Sequence, residues 1–479
     1  MLKKTIFVAF LFLCVGNGCS FVPSQKLLYD PESLSYEPIH FNPPAPERIA
    51  LENGLVVYLL EDHELPLIEV SALIRTGAVY DPADLAGLAG ITGSVMRTGG
   101  TRKMSPEEVD TRIERMSATV TVGINSEEGT ASLSVLREDI DQGLDIFSQI
   151  LTQPAFNQEK LAIAQDITCQ GLRRLTDNPQ SFAFREFKKL LYANNPRSNL
   201  PTIASVKKIT RKDLVTFHQN FFQPGRTFLA ITGDFSRDEM LKKINTYFSG
   251  WAGASSNIAA VPVPQQVSDM NIHHLQKQIS QSTIVMGHLA PQKNHPDYFA
   301  FQVLDFILGS GGFNSRLMSE IRSTRGLAYS VGSFYRGDVD YGVWGAYSIT
   351  KAETTHMAFN LMMDIIAAIK KGTISREEIT WAKESLINSF IFSYTSSAQI
   401  AAQQMALEYD KLPSDFLRTT PEKIQSVTLE DLERSAQQHL HPSSMVVLTI
   451  GDEQTFDTAV DAWQRGKVHR VQSDIMNVQ

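Results

Sequence analysis

Two short runs of apolar and β-branched residues, Leu55–Leu60 and Leu67–Ile74, are separated by the polar Asp62–Pro66, which predicts two strands and a turn. The period then lengthens, predicting helices over 86–97 and 106–116. Ser105, Pro106 and Glu108 supply an N-cap, a proline at the first helical position and a carboxylate at the third, so the second of these helices has a defined start. Ala118–Ile124 and Thr130–Val135 flank Asn125–Gly129 and predict a hairpin. Helical patterns follow over about 137–152, 157–175, 180–192 and 210–222, and Arg226–Thr232 reads as a closing strand. Between 251 and 270 the pattern gives way to Ala, Ser, Pro and Gln, as in a linker. The theme then returns from Thr283 to Ile450.

The return is a repeat in sequence as well as in pattern. Residues 209–234, ITRKDLVTFHQNFFQPGRTFLAITGD, align without a gap on 427–452, VTLEDLERSAQQHLHPSSMVVLTIGD, at an offset of 218. Seven positions are identical, among them Asp213/Asp431, Pro224/Pro442 and Gly233/Gly451. Strands followed by runs of helices, twice over, predict an α+β fold: a tandem duplication of one α/β sandwich unit, each an antiparallel-rich sheet packed with helices. The expected units are 49–250 and 271–465, with a tail over 466–479.

Ahead of the first unit, Lys3 and Lys4 precede an apolar run from Thr5 to Val15, and small residues lead to Cys19. This is the pattern of an export signal over 1–19, with an apolar core too short to span a bilayer. The cysteine after small residues resembles a bacterial lipoprotein processing site, which would make Cys19 the lipidated N-terminus; the alternative is ordinary cleavage near Gly18. Residues 20–48, with Pro43, Pro44 and Pro46, read as a tether. Localisation is therefore expected in the periplasm of a Gram-negative bacterium, with the outer membrane as anchor and no other membrane contact. The whole sequence carries a net charge of −8, and removal of Lys3 and Lys4 leaves −10, which argues against a nucleic-acid partner. Three cysteines in 479 residues exclude a disulfide scaffold, and Cys169 reads as a buried structural thiol.

Residues 87–101, GLAGITGSVMRTGGT, follow a strand ending at Arg75-Thr76-Gly77, and they resemble the metal-site segment of the pitrilysin/insulinase zinc metallopeptidases of the processing-peptidase type. Gly287-His288-Leu289-Ala290-Pro291, Leu308–Leu317 and EIRSTRGLAYSV over 320–331 resemble that family's second-half signature. The family carries His-x-x-Glu-His on the first helix: two histidines one turn apart hold zinc, the glutamate acts as base, and a later glutamate completes the site. Carried over, the histidines fall on Gly90 and Ser94, the base on Gly93 and the last ligand on Gly171. None can serve as those residues do, and the eleven histidines include no pair four apart. His273-His274 and His439-x-His441 read as surface or capping histidines, and Gly309–Gly312 lacks the Gly-Lys that a phosphate loop needs.

One part of the family pattern is intact. An arginine and a tyrosine seven residues apart in the second half face the zinc across the chamber, and Arg322 and Tyr329 match that spacing, ahead of Arg325. The resemblance implies a non-catalytic subunit, with no cofactor of its own, that lends Arg322 and Tyr329 to a partner's site. That partner is a homologous subunit with intact His-x-x-Glu-His and the zinc, and the substrate is an unfolded peptide. Two rival readings stay open: a catalytically inactive peptide-binding or scaffold lipoprotein of the same fold, and an autonomous enzyme with an unrecognised site.

Overall fold

The computed structural model describes residues 42–253 and 258–475. The export segment, Cys19 and most of the tether lie outside the described residues. The first unit contains β1 (Glu47–Ala50), β2 (Val56–Glu61), β3 (Leu67–Ile74), α1 (Leu88–Thr98) and α2 (Pro106–Arg115). It continues with β4 (Thr119–Ile124), β5 (Gly129–Leu136), α3 (Ile140–Thr152), α4 (Gln158–Arg174), α5 (Pro179–Leu191) and α6 (Ile203–Lys208). α7 (Arg211–Phe221), β6 (Thr227–Gly233) and α8 (Arg237–Phe248) complete it. The second unit runs through β7 (Asn271–Gln276), β8 (Gln281–Ala290), α9 (Tyr298–Asp305), β9 (Ala328–Gly337) and β10 (Gly342–Lys351). It ends with α10 (Thr355–Lys370), α11 (Arg376–Phe392), α12 (Ser397–Tyr409), α13 (Phe416–Ser426), α14 (Leu429–His439), β11 (Val446–Gly451) and β12 (Lys467–Arg470).

Each unit has a six-stranded sheet, in the orders β1-β2-β6-β3-β5-β4 and β12-β7-β11-β8-β10-β9. In the first, only β2 and β6 pair in parallel. The second differs at one edge, where β12 lies parallel to β7. Residues 467–470, expected in a tail, therefore extend the sheet, and Glu47 and Arg48, expected in the tether, open β1. The repeat is visible in the helices: α4, α5 and α7 begin at 158, 179 and 211, and α11, α12 and α14 begin at 376, 397 and 429, each 218 later.

The two sheets exchange helices. α5 leaves its own unit and lays Phe182, Phe187 and Leu191 against Leu275, Val285 and Leu448 of the second sheet. Its repeat counterpart α12 lays Ala401 and Met405 against Val56, Tyr58, Phe228 and Ala230 of the first. Each fully buried aromatic or aliphatic side chain contributes ~1.5–3 kcal/mol, so this exchange ties the units more firmly than any linker. Glu408 at the end of α12 adds a clasp, accepting from the Arg48 guanidinium at 2.6 and 2.7 Å and from the Tyr58 hydroxyl. Linker residues are held as well: the Pro262 carbonyl accepts from Asn195 at 2.8 Å and Arg197 at 2.9 Å. Trp251, at the start of the predicted linker, is buried in the first core.

His273 and His274, read from sequence as surface residues, lie instead in β7, where alternate residues face the core; His274 is buried and bonds Thr449 at 2.7 Å. His288 in β8 is fully buried against Trp344. Its Nδ1–H donates to the Leu289 carbonyl at 2.7 Å, and its Nε2 accepts from the His441 amide at 3.2 Å. A second ring proton would face that amide N–H, and burial pushes the imidazole down to about 3. Burial likewise takes His218 down to about 4. Because the unfolded value is ~6.5, the unfolded chain binds more protons below that pH, and stability present at neutral pH is lost as pH falls. Between pH ~6.5 and ~5, His288 alone should cost roughly 2 kcal/mol, at ~1.4 kcal/mol per unit. Urea midpoints at neutral and acidic pH measure this: His288→Gln should be less stable than the parent but lose less on acidification. An unchanged acid sensitivity in that variant would refute the assignment.

Candidate functional site

α1 starts at a built cap. The Asp81 carboxylate accepts from the Gly87 and Ala89 amides at 2.9 and 3.0 Å, and burial nevertheless pushes its carboxyl up to about 7. The helix lies against β4 on one side and α4 on another. Gly90 and Ser94, one turn apart, are both exposed, as is Gly171 on α4, so the carried-over ligand positions share the uncovered faces of two packed helices. Beyond the adjoining residues and the helix's own backbone, no heavy atom lies within 4 Å of where a Cβ would stand at Gly90 or Gly171. Gly93 is different: it is buried, and its Cβ would lie 3.1 Å from the Ile124 amide nitrogen and 3.2 Å from Ile124 Cγ1. Of the three, only Gly93 is in a tight packing contact; at Gly90 and Gly171 glycine costs helix stability, ~1 kcal/mol against alanine, without a steric reason. Cys169, two residues before Gly171, is buried in the core as expected.

The second site lies in an irregular part of the other unit. α9 passes into a π-helical turn over Phe306–Ser310, and a second π-helical turn, Met318–Thr324, carries Arg322. Such widened turns recur at functional sites. β9 follows, with Tyr329 second in the strand and 76% exposed. Buried Asp305 staples strand to turn: it accepts from Ser333 Oγ at 2.6 Å and Trp344 Nε1 at 2.8 Å, and burial holds its carboxyl up at about 6. Gly309 lets the turn approach β9, since a Cβ there would lie 2.4 Å from the Ser333 nitrogen. The glycine-rich run over 309–312 is therefore a packing device rather than a phosphate cradle.

The structure brings Arg322 and Tyr329 together: the Arg322 Cζ stands 5.4 Å from the Tyr329 ring centre. It also lies 5.1 Å from the ring of Phe313, which is 66% exposed and was not singled out in the sequence. Its sequence signal, an aromatic directly after Gly311-Gly312, becomes informative only once the turn returns it to Arg322. Arg325 is exposed and makes no ion pair among the described residues.

One His/Asp group among the described residues has the spacing of metal ligands: His295, Asp297 and His439, with donor atoms within 4.8 Å of one another. Its atoms already bond one another and a guanidinium. Asp297 accepts from Arg434 at 2.7 Å and from His439 Nε2 at 2.9 Å, and His295 Nδ1 accepts from the Asp297 amide at 3.0 Å. The network joins the start of α9 to α14. A polar cleft of about 680 Å³ between the units likewise has paired charges on each wall, Arg197–Glu127 at 2.8 Å on the first unit and Lys293–Asp410 at 3.3 Å on the second.

Paired α/β sandwiches with exchanged helices, no imidazole or carboxylate at Gly90, Gly93, Ser94 or Gly171, and an arginine–tyrosine pair in the second half define a peptidase-like fold. The chain belongs to the insulinase (M16) peptidase family: residues 56–201 match the profile "Insulinase (Peptidase family M16)" and residues 208–386 match "Peptidase M16 inactive domain". It is 24% identical to the non-peptidase homolog YmxG of Helicobacter pylori over 82% of this chain and 91% of that one. It is 23% identical to the bovine mitochondrial-processing peptidase subunit beta over 86% and 85%. Among solved structures, a peptidase M16 inactive domain from Pseudomonas fluorescens matches with a TM-score of 0.78 at 25% identity, covering 85% of this chain and 98% of that chain.

Proposed function

We propose that this chain is the non-zinc-binding subunit of a heterodimeric insulinase-like peptidase. Arg322 and Tyr329 reach the zinc site of a homologous partner that carries His-x-x-Glu-His, where they bind an unfolded peptide and stabilise the oxyanion. The observation that carries this reading is the pairing of opposites: Gly90, Gly93, Ser94 and Gly171 offer no imidazole or carboxylate, while a half-buried Arg322 stands beside the exposed Tyr329. An arginine fork suits a peptide carbonyl or carboxylate, and a phenol hydroxyl suits the charge that develops when water attacks. With Cys19 as the lipid-bearing residue, the pair works at the periplasmic face of the outer membrane.

The test is co-expression with a partner encoding the intact motif, followed by zinc content and peptide hydrolysis for each chain and for the mixture. Zinc in the partner and hydrolysis only by the mixture are expected. Hydrolysis by the partner alone at the rate of the mixture would refute the division of labour. The second reading, a peptide-binding scaffold without catalysis, draws on the similarity to a relative named a non-peptidase homolog. It predicts that no zinc-bearing partner co-purifies.

A further inference from the structure

We propose that Phe313, Arg322 and Tyr329 form a recognition site for a peptide carboxylate next to a large apolar side chain, with Phe313 the residue that selects that side chain. The proposal rests on the reading of Arg322 and Tyr329 as substrate-binding groups and adds the substrate class.

Two rings at 66% and 76% exposure, both beside one guanidinium, give up favourable burial in the isolated chain. Besides its place over the two rings, Arg322 makes one side-chain hydrogen bond among the described residues, from Nη1 to Met318 Sδ at 3.9 Å, a weak acceptor that leaves its other N–H groups for a ligand. Neither Arg322 nor Arg325 has a carboxylate within ion-pair distance among the described residues, whereas nearby Arg316 is held by Glu378 at 2.6 Å. The missing acid is what a ligand would bring. A carboxylate fits the fork with two parallel hydrogen bonds, and rings around the pair exclude water and strengthen it. Phe313 follows Gly312, whose φ of +71 turns the chain outward into open space, so its ring forms an apolar wall beside the fork. Arginine with exposed aromatics is also the composition on which binding energy concentrates.

The carboxylate could come from an acidic side chain or from a peptide C-terminus, and three labelled peptides separate these sources. One carries internal Glu-Phe and an amidated end, one ends in Phe with a free carboxylate, and one carries Gln-Phe and an amidated end. Anisotropy titrations use the full-length chain without a partner. At least one carboxylate peptide should bind roughly tenfold tighter than the neutral one, a difference of ~1.4 kcal/mol. Arg322→Ala should remove that preference. Phe313→Ala should remove the preference for Phe over Ala beside the carboxylate, measured with matched carboxylate peptides carrying Ala in place of Phe and expected at about 3–10-fold for a partly exposed ring. Phe313→Leu should restore part of it, which a loss of folding could not do. Equal binding of the neutral peptide, or an intact Phe-over-Ala preference in Phe313→Ala, would overturn the proposal. Since the titration needs no partner, its failure beside an active co-expressed pair refutes this inference alone. Success with no zinc-bearing partner refutes the heterodimer and leaves the recognition site.

Discussion

Tyr329→Phe should lower the turnover of the co-expressed pair by roughly 10²–10³, the usual cost of losing one preorganised oxyanion donor, while zinc content and assembly stay unchanged. The side chain is 76% exposed, so its hydroxyl supports nothing in the fold. Surface changes of this kind usually alter stability by less than ~0.5 kcal/mol. A fall in turnover can therefore be read as chemistry. An oxyanion donor acts only in the transition state, so kcat and kcat/KM should fall together. Arg322→Ala should raise KM as well, because an arginine that holds the peptide acts before the chemical step. Full activity in Tyr329→Phe would remove the tyrosine from the mechanism, and a change in KM alone would reassign it to binding.

Most of the fold was legible because its signals are local. The helix predicted over 106–116 is observed as Pro106–Arg115, and the Ser105–Glu108 capping box that marks its start is formed, with Glu108 N to Ser105 Oγ at 3.2 Å. The offset of 218 anticipated where α11, α12 and α14 begin, since repeated sequence repeats local propensity. The exchange of α5 and α12 was not legible. Periodicity says that Phe182 and Phe187 share an apolar face but not which sheet receives it. The short edge strands β1 and β12 carry little alternation, so pairing with a neighbour rather than their own pattern defines them. At the site, missing ligand atoms could be read directly, but the contrast between open Gly90 and Gly171 and packed Gly93 needed β4 in place. Phe313 was missed because its partner Arg322 is nine residues away through an irregular turn.

That contrast yields the other large expected effect. In the triple variant Gly90→His, Ser94→His, Gly171→Glu, zinc binding should appear in this chain. The two helical positions are one turn apart and exposed, the right placement for imidazoles on one ion, and α4 packs beside them with room for a carboxylate. Three protein ligands leave one position for water, and a dissociation constant of about 1 μM or tighter corresponds to some 8 kcal/mol of binding. Titration with zinc in competition with a chromogenic chelator measures it, and removal of any one ligand should weaken it sharply. The same variant should not hydrolyse peptides, because no base stands beside the water. Supplying one is harder: Gly93→Glu forces a Cβ to 3.1 Å from the Ile124 nitrogen. Such overpacking typically costs ~1–3 kcal/mol, and here it also draws a carboxylate toward a buried helix–strand contact. The quadruple variant should therefore melt below the triple one, by more than Gly90→His or Ser94→His alone. If the triple variant, folded by circular dichroism, bound zinc no better than the parent, α1 and α4 would not be disposed as a metal site. If Gly93→Glu were instead neutral, the erased base would be a simple substitution rather than a position closed by packing.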